Sequence, residues 1–270
     1  MPAIQPARLK QQAALLAEHF DAPAAFVRSL YYLLQFYADR THRSGQAGEP
    51  SPLVEAYNVP APALRLILQP LLLRVEQEPE EALALCEALW REPYLEFRVL
   101  AAALLGEIPP RPAEVISNRI TLWAEGEDEL RLIDNLFNEG LARLRREKPE
   151  QVLNLVHSWL ESQDAQKQRL GLRALLPLLQ DLSFQNLPRF FRLLQPLFRE
   201  APQELRPDLL EVSKRLARRS PRETAYFLRQ CLEVFHGSGL TWIIRQSLPE
   251  FPSPVQQSLR EALRSSRWGL

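Results

Sequence analysis

The sequence predicts an all-α chain of repeated helix pairs, and three observations carry that prediction. Apolar residues recur at helical spacing, as in Val152, Leu155, Val156 and Trp159. Segments of similar pattern begin at Pro79, Pro112, Pro149, Pro188 and Pro221, which are 33, 37, 39 and 33 residues apart. Strand signals are weak, since no alternating Val/Ile/Thr/Tyr run closes on an Asn-Gly or Asp-Gly turn.

Composition agrees. The 270 residues are 46% hydrophobic, enough for a sizeable core, and the 9 glycines against 23 prolines suit short helices whose starts are set by proline. Cys86 and Cys231 stand alone in apolar helical patterns and read as core thiols in a reducing compartment. The N-terminal "MPAIQPARLKQQ" lacks an apolar signal core and no run is long enough to span a bilayer, which predicts a cytoplasmic protein.

Along the chain, residues 5 to 20 and 23 to 40 read as two amphipathic helices, the second containing "AAFVRSLYYLLQFYADR". The polar stretch "THRSGQAGEPSP" (41 to 52) is the best boundary, so residues 1–50 are expected to form a helical cap and residues 51–270 one repeat domain. Each repeat opens with proline, which loses no hydrogen bond at a first helical position, and often with an acid (Glu80, Glu81, Glu150, Glu223) suited to the helix dipole. After a short polar turn, an arginine opens the second helix: Arg98, Arg131, Arg169, Arg206 and Arg245. One helix pair cannot bury all of its apolar surface, so neighbours must stack. With no ankyrin or tetratricopeptide pattern, the recurring arginine points to HEAT-like repeats in an α-solenoid, a curved superhelix of antiparallel helix pairs. The last residues read "SSRWGL".

Charge is uneven. Residues 1 to 135 hold 12 Lys/Arg against 19 Asp/Glu, net −7, and residues 136 to 270 hold 21 against 14, net +7. A basic half suggests a polyanionic partner. "RLRREK" gathers Arg143, Arg145, Arg146 and Lys148 at one helix end, and "KRLARRSPR" gathers Lys214, Arg215, Arg218, Arg219 and Arg222. With Arg245, these rows fit a phosphate backbone; equally, they fit helix C-termini that attract cations.

In "ELRLIDNLF" (129 to 137), Asp134 is a lone carboxylate in an apolar helical run, where a charge requires a partner. It reads either as a reacting carboxylate or as half of an inter-repeat ion pair with Arg169. The recurrence of the repeat arginine favours a structural role for Arg169. His19, His42, His157 and His236 form no metal-ligand spacing, and there is no phosphate-binding glycine loop, so neither metal nor nucleotide cofactor is expected. Trp90 and Trp159 fall at matching repeat positions and read as core.

"YNVPAPALR" (57 to 65) resembles the "GVPTPxLR" opening of the DNA alkylation repair family, glycosylases built from HEAT-like repeats, with Asn58 for the usual glycine. That family also shows a helical aspartate, "KYPE", a tryptophan, a Ser/Asp turn and an arginine; here these are Asp134, "REKPE" (146 to 150), Trp159, "SQD" (162 to 164) and Arg169. The resemblance covers roughly residues 50 to 250 and implies that Asp134 and Arg169 are catalytic. It implies duplex DNA held in a positive groove and excision of N3- or N7-alkylated purines, or binding of damaged or branched DNA without cutting. The family's aromatic residue four positions before the aspartate is replaced by Leu130. A protein-interaction scaffold remains the alternative, supported by the zero net charge and the acidic first half.

Overall fold

A computed structural model describes residues 5–39, 53–181, 184, 186–235 and 237–265. Among these residues the chain is all-helical, with fifteen α-helices, no strand and an isolated bridge between Glu55 and Tyr94. The predicted boundary loop at 41–52, His42, His236 and all but the first residue of "SSRWGL" lie outside the described residues. The helices gather into two units, residues 1–152 and 153–270.

The first unit contains α1 (Pro6–Ala17), α2 (Pro23–Tyr37), α3 (Ala61–Val75), α4 (Pro79–Trp90), α5 (Leu95–Leu105), α6 (Ala113–Glu125), α7 (Leu130–Asn135) and α8 (Ala142–Glu147). Helix α9 (Pro149–Leu160) begins here and continues into the second unit. Helices α1, α3, α5 and α7 pack one on the next, and α2 packs on α4. A parallel stack of Trp90 on Trp123, 4.4 Å between ring centres, and a 2.5 Å ion pair of Arg119 with Glu87 join α4 to α6. The core is aliphatic and phenylalanine-rich, with Phe20, Phe26, Ile67, Phe97, Leu104 and Phe137 buried.

Proline sets the starts of α4 and α9 and caps α6 from position 112, as their spacing predicts. The "YNVP" turn forms with Asn58 in the left-handed region, φ 56°, which asparagine tolerates. Glu96, 2% exposed, holds that turn: its carboxylate accepts from the backbone N–H groups of Tyr57 (3.0 Å) and Val59 (3.2 Å).

One departure from the predicted pattern bears on the site. The helix carrying Asp134 does not run on into "RLRREK" but is interrupted by a π-helical turn, Leu136–Gly140, before α8. At this turn another part of the chain approaches closely. A Cβ at Gly106, just past α5, would lie 1.8 Å from the carbonyl oxygen of Glu139, and one at Gly140 would lie 2.8 Å from the Ile120 Cδ1. Only glycine lets the end of α5 meet the π turn backbone to backbone.

The second unit contains α10 (Ala165–Gln180), α11 (Leu187–Glu200), α12 (Arg206–Arg219), α13 (Pro221–Val234), α14 (Ser238–Ser247) and α15 (Ser253–Ser265). Helices α10, α12 and α14 pack in succession, as do α11, α13 and α15. Asp164 caps α10 by accepting from the Gln166 N–H at 2.8 Å. Pro70, Pro177 and Pro196 lie inside helices rather than at their starts, so α3, α10 and α11 each give up one N–H. Trp159 is buried and Trp90 half-buried, and Cys86 and Cys231 are buried free thiols.

Two outcomes follow from this packing. Gly106→Ala drives a methyl group into backbone and is expected to lower unfolding free energy by at least about 2 kcal/mol, measured by denaturant titration. Burial pushes the Cys231 thiol up to about 11, and burial reinforced by Glu87 pushes Cys86 well up. The native thiols should therefore resist alkylation at pH 8 and react fully once unfolded. Since the folded state holds these protons more tightly, stability should fall as pH rises above the free-thiol value of about 8.5.

Candidate nucleic-acid interface

Asp134 is the penultimate residue of α7 and sits half-buried directly ahead of the π turn. Its carbonyl oxygen accepts from the Asn138 amide at 2.8 Å. One turn earlier, Leu130 presents an alkyl side chain that is 42% exposed. The α7 N-terminus is fixed by buried acids that sequence reasoning missed. Glu129 caps it by accepting from the Arg131 N–H at 3.1 Å and also accepts from the Leu53 N–H at 2.6 Å. Glu127, 5% exposed, accepts from the Glu129 N–H at 2.8 Å and pairs with Arg98 at 2.6 Å. Arg98 thus ties α5 to the start of α7.

The first basic cluster splits by role. Arg143 directs Nη1 to Glu76 (2.6 Å) and to the Glu107 carbonyl (2.8 Å), and Nε to Glu147 (2.6 Å). This hydrogen bond holds the Glu76 carboxyl below the usual carboxylate range. Arg145 donates to the carbonyls of Phe137 (2.8 Å) and Asn138 (3.1 Å), so it caps the π turn next to Asp134. Arg146 and Lys148 occupy exposed positions.

The second unit repeats the division. Arg215 pairs with Glu211 at 3.0 Å along its own helix, and Arg218 forms a forked pair with Glu250 at 2.7 and 2.9 Å, which lowers the Glu250 carboxyl. Arg219 closes the end of α10, donating to the carbonyls of Leu178 and Leu179 at 3.0 Å each and to that of Phe184. Burial lowers its guanidinium pKa from the ordinary value. Lys214 is half-buried and Arg245 exposed.

Arg169 is the fifth residue of α10 and is 35% exposed. Its Nε faces Asp208 at 3.4 Å, and Asp208 also holds Arg173 Nε at 3.0 Å. The structure thus gives Arg169 a buried acid within its own unit, Asp208 being 6% exposed. Neither Asp208 nor Arg173 was read from the sequence as belonging with Arg169; a lone acid in the first turn of α12 was the available signal. Among the described residues no group of three or more His, Cys, Asp or Glu side chains could hold a metal ion, and no helix is long and apolar enough to cross a membrane.

Arg145→Ala should remove both donors to the π turn and cost about 1–3 kcal/mol of stability in denaturant titration. Arg145→Lys should restore only part of that, because one ammonium cannot reproduce a fork.

A family model described as DNA alkylation repair enzyme matches residues 38–230. No curated protein and no solved structure matches the chain.

Proposed function

The chain belongs to the DNA alkylation repair enzyme family, and from that premise we propose that it acts in DNA repair as a duplex-binding protein built of HEAT-like repeats. We take the segments that begin at Pro79, Pro112, Pro149, Pro188 and Pro221 as its repeats, in a solenoid domain of residues 51–270 that follows a helical cap of residues 1–50. The observation that carries the DNA reading is the family match over residues 38–230, which includes both Asp134 and Arg169.

Excision is the finer reading. An N3- or N7-alkylated purine is already cationic, so its glycosidic bond breaks with the electron pair leaving on the neutral base. Positive charge then develops at the sugar carbon. A carboxylate at that carbon stabilises the charge and takes a proton from the water that adds there. Asp134 supplies that carboxylate, and Arg169 supplies donors to the phosphodiester. Of the basic residues, Arg146, Lys148 and Arg245 extend from exposed positions suited to phosphate, and Lys214 reaches the surface in part. Arg143, Arg145, Arg215, Arg218 and Arg219 contribute charge while holding helix ends and carboxylates within the protein.

One observation favours binding without excision. The exposed Leu130 has no π face to stack on a base or attract its positive charge.

Release of N7-methylguanine from alkylated duplex DNA distinguishes these readings. The wild type is expected to release the base and Asp134→Asn to lose at least about 100-fold in rate, as when a charge-stabilising group is removed. Salt-sensitive duplex binding with no release supports the binding-only reading, and neither binding nor release rejects both.

A further inference from the structure

A groove of about 590 Å³ lies between α11 and α13, and none of the residues assigned to DNA above lines it. Its floor is aromatic. Phe191 and Phe227 stack with 4.9 Å between ring centres and 30° between ring planes, and Phe198 packs edge-on against Phe227 at 5.3 Å. Phe227 is buried and Phe191 half-buried, and Leu187 and Pro188 close the α11 side. Tyr226 also lines the groove but is 61% exposed, so most of its ring stays open to solvent.

The polar groups of the groove follow one row. Arg222, Tyr226 and Gln230 fall four residues apart on α13, so they share a face and rise by about 6 Å at each step. Gln230 donates an amide N–H to the Tyr226 hydroxyl at 2.8 Å, which leaves its carbonyl oxygen and its second N–H for another partner. Arg222 is exposed at the head of the row. The adjacent acid, Glu223, is occupied at the start of its own helix, where its carboxylate accepts from the Ser220 hydroxyl. Among the described residues Arg222 therefore keeps its charge outside any direct ion pair.

A cation, an aromatic face one turn on and an amide one turn beyond answer, in order, a phosphate, a flat ring and the hydrogen-bonding edge of that ring. This is the order of groups in a nucleotide. An apolar peptide would fit the floor, yet it would cover Arg222 and Gln230 without giving either a partner. The base has to be unpaired, because a base within a duplex has its faces covered by its neighbours in the stack. We propose that the α11–α13 groove binds one unpaired nucleotide of a single-stranded segment, with its base on Tyr226 and Phe191, its edge at Gln230 and its phosphate at Arg222. The proposal rests on the reading of the protein as a DNA binder and adds to it a second site, for single strands.

Two strands of equal length separate stacking from charge: a fluorescent oligothymidylate and its abasic counterpart, which has the same phosphates and no bases. Dissociation constants are measured for both, and for a blunt duplex, at several salt concentrations. The wild type should bind the base-bearing strand about tenfold more tightly than the abasic one. Tyr226→Ala should remove that difference, and Tyr226→Phe, which keeps the ring, should retain most of it. Arg222→Gln should weaken both strands and flatten the logarithmic salt dependence by about 0.7 while the difference between strands persists. Free thymidine monophosphate should compete only at far higher concentration than the strand, since it offers one nucleotide and no continuing backbone.

Equal wild-type affinity for the two strands overturns the proposal and leaves the groove to a peptide. A preference for bases that survives Tyr226→Ala overturns it as well, because the bases are then held elsewhere, and so does an unchanged salt slope in Arg222→Gln. Competition by the free nucleotide as strong as that by the strand assigns the groove to a free nucleotide and overturns the strand reading. The blunt duplex keeps the two readings apart. Duplex binding without a preference for bases defeats this proposal alone, whereas a Tyr226-dependent preference without duplex binding upholds it and defeats the duplex reading. Binding of neither defeats both.

Discussion

A carboxylate removed from water must be matched by donors close enough to offset its lost hydration, and much of this fold is arranged around that requirement. Glu96, Glu127, Glu129 and Asp208 are all buried acids, and each lies at or near the start of a helix, α5, α7 or α12. Glu96 gathers the N–H groups of the turn before α3, Glu129 those at the head of α7, Glu127 an arginine of α5 and Asp208 arginines of α10. Such pairs add little net stability, yet breaking one by removing a single partner is costly.

The arginines answer a second requirement. Short helices expose many terminal carbonyls per residue, and a guanidinium can satisfy two at once. Arg145 does so at the π turn and Arg219 at the end of α10. The basic character of the second half therefore serves two purposes: part holds the helix ends, and part, at Arg146, Lys148 and Arg245, faces solvent.

Local features were readable in the sequence and distant ones were not. Proline at a first helical position is a one-residue signal, so the starts at Pro79, Pro149 and Pro221 agree with the pattern. Asn58 was legible for the same reason, since its left-handed backbone depends on its own side chain. The π turn was hidden because the glycine packed against it, Gly106, lies 30 positions before Leu136. The partner of Arg169 was hidden because Asp208 reads in sequence as an ordinary first-turn acid. The clusters at 143–148 and 214–219 looked uniform because sequence gives charge but not whether a carbonyl already occupies the donors.

The Trp90–Trp123 stack also has an optical consequence. Two indoles 4.4 Å apart and inclined by only 5° have coupled electronic transitions. They give the first unit a circular-dichroism signature in the near ultraviolet that depends on the spacing of α4 and α6. Separation of those helices by a fraction of a ring's thickness would change the spectrum while every helix remained intact. The protein thus carries, without any added label, its own gauge of helix-to-helix distance.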